Sequence, residues 1–97
     1  MTRLRVEVRP DPGVGGYSLY VDGVPATIGA HHKGEVVCAG RCGDGSLHAL
    51  LYSFAGLPGS TLAITVRCPA RIVCALRAEI VEAAGSRSRA GREVFAI

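Results

Sequence analysis

Four cysteines (Cys38, Cys42, Cys68, Cys74) and three histidines (His31, His32, His48) are the residues of this chain best suited to holding a metal. Zinc sites are recognised by paired ligands at short, repeated spacings. No Cys-x-x-Cys occurs; three residues separate Cys38 from Cys42 and five separate Cys68 from Cys74. Cys38 falls in the apolar run Glu35-Val36-Val37-Cys38-Ala39, where cysteine behaves as a small hydrophobe. We therefore expect no metal, no other cofactor and reduced thiols. Ser46, Ser53 and Ser60 sit in no nucleophile elbow. Gly13-Val14-Gly15-Gly16 is too short for a dinucleotide fingerprint and opens no helix. What remains is cationic. The segment Ser86-Arg87-Ser88-Arg89-Ala90-Gly91-Arg92 is small and basic, suited to nucleic acid, to an acidic protein surface or simply to solvent.

Composition sets the frame for these side chains. Ninety-seven residues, 48% hydrophobic and 20% charged, suit one globular domain spanning residues 1–97, with 86–92 as a flexible basic segment. The net charge of +3 is compatible with an anionic partner without requiring one. No apolar run approaches the length of a membrane span, about 20 residues. The opening residues alternate charged and apolar and lack an apolar secretory core, so a cytoplasmic location is expected.

The elements that must position the arginines follow from periodicity. Leu4, Val6 and Val8 alternate with Arg5, Glu7 and Arg9, the pattern of a half-buried strand. Pro10 to Gly16 is a turn region, Tyr17 to Val21 a second strand, and Asp22-Gly23 a tight-turn signal. Val24 to Ala30 and Glu35 to Ala39 read as a third strand and either a fourth or its resumption. After the Gly-rich loop Gly40–Ser46, residues Leu47, Leu50, Leu51 and Phe54 match helical spacing, with Ser46 as N-cap and Gly56 as stop. Leu62, Ile64 and Val66 alternate as a strand. Pro69 then suits a helix start, Ile72, Val73, Leu76 and Ile80 recur at helical spacing, and Gly85 ends the pattern. Glu93 to Ile97 reads as a last edge strand. The expectation is an α/β (α+β) domain of order βββ(β)αβα(β): a mixed sheet of three to five strands with two helices packed on it. The Leu62 strand lies parallel to the first.

This order resembles the ribonuclease H-like fold. Asp11-Pro12-Gly13-Val14-Gly15-Gly16-Tyr17 is similar to the turn between the first two strands of that family, and Lys33-Gly34-Glu35-Val36-Val37-Cys38-Ala39-Gly40 resembles its third strand. Leu47-His48-Ala49-Leu50-Leu51 is similar to its first helix and Ile64-Thr65-Val66-Arg67-Cys68 to the strand that follows. The family holds two metal ions with carboxylates at the end of the first strand, in the first helix and at the end of the next strand. Here Arg9, His48 and Arg67 stand at those positions, and they cannot supply the anionic oxygens magnesium needs. The resemblance therefore implies a degenerate member without catalysis.

Two parallel neighbouring strands would bring Arg9 and Arg67 to one end of the sheet, beside His48 and Arg71 in the first turns of the two helices. Such a cluster would receive an anion. With Arg87, Arg89 and Arg92 these are the candidate binding residues. We expect a small, non-catalytic interaction protein binding another protein or a nucleoprotein, of the kind common among inhibitors and accessory proteins of mobile elements. The alternatives are a domain binding nucleic acid directly and a divergent metal-dependent nuclease using Asp22 and Asp44. The aromatics Tyr17, Tyr20, Tyr52, Phe54 and Phe95 are scattered and form no stacking stripe.

Overall fold

Alternation, not helical spacing, governs the whole chain. The computed structural model describes residues 1–81 and 87–97. Its elements are β1 (Thr2–Pro10), β2 (Val14–Val21), β3 (Val24–Pro25), β4 (Thr27–Ile28), β5 (Lys33–Cys38), β6 (Leu47–Gly56), β7 (Thr61–Arg67), β8 (Ile72–Glu79) and β9 (Ser88–Ala96). They form two sheets, one of five strands in the order β4-β5-β1-β7-β8 and one of four in the order β3-β2-β6-β9. Every pairing is antiparallel. The inner faces pack on each other through Leu4, Val6, Val8, Leu19, Val21, Leu50, Phe54, Leu62, Ile64, Val66 and Ile80, all buried.

This overturns the α/β expectation. Among the described residues there is no helix and no mixed sheet, and the ribonuclease H-like resemblance falls with them. Residues Leu47–Gly56, expected as the first helix, are a strand that turns His48, Leu50 and Phe54 inward and leaves Leu47 71% and Leu51 41% exposed. The helical match arose because the adjacent pair Leu50-Leu51 satisfies the i+3, i+4 template whichever of the two is buried. The second expected helix is β8, which buries Cys74 and Ala78 and leaves Ile72 52% exposed. Its β-branched residues Ile72 and Val73 fit a pleated surface better than a helical one. Pro69 follows a cis peptide bond in the turn joining β7 to β8, which the Cys68 N–H closes onto the Arg71 carbonyl at 2.9 Å. Gly85, read as a helix stop, lies outside the described residues, as does Ser86. Of the rest of the basic segment, Arg87 precedes β9 and Ser88 to Arg92 lie in it.

Of the stretch read as a turn, Val14–Gly16 already belong to β2, and the connector Asp11–Gly13 does not join neighbouring strands. It carries the chain from the five-stranded sheet to the four-stranded one, pinned where Asp11 Oδ2 accepts the Thr61 N–H and hydroxyl at 2.9 Å each. Asp22-Gly23 makes the expected hairpin turn. Both residues have positive φ, 51° and 81°, as a type I′ turn requires. No helix long and apolar enough to cross a membrane is present among the described residues.

Candidate functional site

The outer face of the five-stranded sheet collects the charge. Strand β1 is its centre, and the odd-numbered residues Arg3, Arg5, Glu7 and Arg9 point away from the core because Leu4, Val6 and Val8 point into it. Across β5 stand Lys33 and Glu35, and on the far side Arg67 on β7, with Arg77 and Glu79 on β8. Six cations thus face three acids, a surplus equal to the net charge of the whole chain.

The acids are already engaged. Glu7 Oε1 accepts from Arg9 at 3.4 Å and Glu7 Oε2 from Arg67 at 3.3 Å, while Glu35 pairs with Arg3 at 3.3 Å. Arg67, Arg9 and Lys33 together hold the Glu7 carboxyl below its ordinary range against the opposing effect of desolvation. Arg5 is different. It lies directly opposite Glu35 on one side and Arg67 on the other, yet its side chain makes no ion pair or hydrogen bond among the described residues. It lines a cleft of about 640 Å³ with Glu7, Thr27, Lys33, Glu35 and Arg67. Gly34 forms the floor beside β4; a Cβ there would fall 1.8 Å from the Thr27 carbonyl oxygen, so only glycine lets β4 come this close.

The candidate residues from the sequence do not form one cluster. Because β1 and β7 run antiparallel, Arg67 faces Arg5, and Arg9 lies four residues further along, opposite Ala63. Arg9 and Arg67 still meet through Glu7, on one face. Arg71 lies at an end of the sandwich, where its guanidinium donates to the Ile97 carbonyl at 2.8 Å. It lines a second cleft with Cys42, Cys68 and Pro69. Arg89 and Arg92 are on β9, with Arg89 donating to the Glu79 carbonyl at 2.8 Å, and the exposed Arg87 precedes them. Arg5 itself was missed. Its alternation with Leu4 and Val6 marked it as outward, but its neighbours across the sheet depend on pairing that spacing does not reveal.

His48 is buried. Its Nδ1 lies 2.6 Å from Asp22 Oδ2 and its Nε2 2.9 Å from Ser46 Oγ, and its ring sits 5.9 Å from that of Phe95. On paper this is the serine–histidine–aspartate order of a nucleophilic relay. The same contacts hold three segments of the chain together. Asp44 accepts the Ser46 and Arg41 N–H groups at 2.8 Å each, and hydrogen bonding from Ser46 and Arg41 holds it down to about 2. Both ring nitrogens of His48 are thus engaged, Nδ1 by Asp22 and Nε2 by Ser46. Gly40 closes the far side: at φ 91° its Cα is so near that a Cβ would meet Asp44 Oδ2 at 2.7 Å and Ser46 Oγ at 2.8 Å. The chain Asp22–His48–Ser46–Asp44 ties the β2–β3 turn to β6 and to the Gly40–Ser46 loop.

That loop is fastened a second time. Cys42 and Cys68 form a disulfide with Cα atoms 5.6 Å apart, correcting the expectation of four reduced thiols. Cys38 and Cys74 are buried free thiols whose ionisation desolvation disfavours. Among the described residues no three of His, Cys, Asp and Glu are grouped to hold a metal ion.

Fold and face together describe a small antiparallel β-sandwich with one strongly basic side. No protein-family model matches the chain, and no curated protein or solved structure matches it at a significant level.

Proposed function

We propose that this is a non-catalytic interaction protein that binds a protein or nucleoprotein partner through the outer face of β5, β1 and β7. One observation carries the reading: Arg5 projects from the central strand into a cleft without an acid of its own, beside Arg67, which shares Glu7 with Arg9. A fold gains nothing from directly opposed like charges, which cost a few tenths of a kcal/mol or more, whereas an anionic partner would be drawn to them. Inhibitory or accessory roles fit such a surface.

The test is a paired pull-down from the native host, with wild type and the double variant Arg5→Glu/Arg67→Glu. A partner held by wild type, released by added salt and lost by the variant is the expected result. The same partner held equally by both would move the interaction surface elsewhere. The compartment belongs to the same reading. The cytoplasm expected from the sequence would keep Cys42 and Cys68 as thiols, whereas their bridge favours an oxidising compartment. Mass spectrometry of protein alkylated at the moment of lysis separates the two.

A further inference from the structure

Resting on that reading of the basic face, we infer the chemistry of its partner: acidic side chains of a protein, with the Arg5–Arg67 cleft receiving a carboxylate, in preference to the backbone of a nucleic acid. Three features of the face point the same way.

First, the charges alternate. Along the middle of the face Arg5 is followed by Glu7 and then Arg9, about 7 Å apart in turn. Glu35 stands across β5 from Arg5, and Glu7 and Glu35 both line the cleft. A nucleic-acid strand presents a negative charge at every residue, and continuous phosphates would be pressed against both acids. A protein surface can offer one carboxylate to Arg5 and Arg67 and set neutral or basic groups against Glu7 and Glu35.

Second, the face has no stacking platform. Tyr17, Tyr20, Tyr52, Phe54 and Phe95 are all on β2, β6 and β9, the strands of the other sheet. Proteins that hold single strands without reading sequence rely on aromatic stacking beside the cationic groove. On this face the neighbours of the arginines are Thr65, Ala63 and Thr27.

Third, the geometry suits a forked contact. Arg5 and Arg67 are directly paired across antiparallel strands, with Cα atoms about 4.5–5.5 Å apart. Arg67 is held on one side by Glu7 at 3.3 Å, and Arg5 has no partner among the described residues. A carboxylate entering the cleft meets one uncommitted guanidinium and the open side of another, the planar arrangement in which arginine binds carboxylates best.

The experiment is fluorescence anisotropy at low and physiological salt with the whole chain. The probes are a labelled glutamate–serine peptide and a labelled oligothymidine of equal length. Each is titrated with wild type and with Arg5→Gln/Arg67→Gln, both checked for native circular dichroism. The peptide is expected to bind wild type more tightly than the oligonucleotide, and the double variant to weaken it about tenfold or more. If the oligonucleotide binds more tightly and depends on the two arginines, the partner class is overturned while the basic face stands. If the double variant binds both probes as wild type does, or wild type binds neither, the basic face itself is overturned as the binding surface. Arg5→Lys/Arg67→Lys keeps the charges but removes the fork, so peptide binding preserved in full would overturn the forked contact.

Discussion

The two outer faces of this sandwich are made by the same alternation and carry opposite chemistry. On the five-stranded sheet the outward positions of β1, β5, β7 and β8 hold six cations and three acids. On the four-stranded sheet the outward positions of the central strand β6 are Leu47, Ala49, Leu51, Ser53 and Ala55, uncharged throughout. Tyr20 on β2 lies opposite Leu51, Pro25 opposite Tyr20, and Val94 opposite Ala49; Arg92 is the single charge on that face among the described residues. The same packed core underlies both. What distinguishes them is what they can select: a mixed-charge face discriminates between partners by sign and register, while an apolar face discriminates mainly by shape.

The largest expected effect concerns what the faces share. Leu62 is fully buried between them, and Leu62→Ala should lower unfolding stability by roughly 2–5 kcal/mol. A loss under half a kcal/mol in denaturant unfolding would mean that the inner faces do not meet at β7. Next comes the tie outside the core. Cys42 and Cys68 are 26 residues apart, so Cys42→Ser/Cys68→Ser should cost about 3 kcal/mol. The same loss should follow mild reduction of the wild type and leave the variant unchanged.

The comparison itself is sharpened by substituting one residue on each face. Arg67→Gln should weaken partner binding by about fivefold, worth about 1 kcal/mol, and Leu51→Ser should change it less than twofold. Both should alter stability by about half a kcal/mol or less. Equal losses of binding would show that the partner spans the sandwich or uses the apolar face. The smallest effect is acid-dependent. Asp44 is depressed from 3.8 to about 2 by hydrogen bonds from Ser46 and Arg41. A group depressed on folding stabilises above its unfolded value and loses that contribution as the pH falls through its folded one. The stability difference between wild type and Asp44→Asn should therefore be constant above about pH 5 and shrink towards pH 2. A difference independent of pH in that window would show that Asp44 does not act through its charge.

Much of the strand content was legible because alternation is a local property. Leu4, Val6 and Val8, and again Leu62, Ile64 and Val66, are buried as their spacing predicts, and Asp22-Gly23 turns where its chemistry says it should. Two segments misled. In both, adjacent apolar residues, Leu50-Leu51 and Ile72-Val73, offered a helical and a strand pattern at once, and only the partner strands β2, β9 and β7 break the tie.

Residue types and short spacings were enough to tell which residues of β1 would face outward, that the chain carries a surplus of positive charge, and that neither cysteine nor histidine spacing forms a zinc motif. Each depends on residue type and on separations of a few positions. The tertiary structure decided that Arg5, not Arg9, faces Arg67, that Cys42 reaches Cys68, and that His48 is enclosed between Asp22 and Ser46. These contacts join residues 62, 26 and 26 positions apart for the first, second and third pairs. The direction in which β7 runs against β1 fixes the first, and no local periodicity encodes the direction of a strand that returns from so far along the chain.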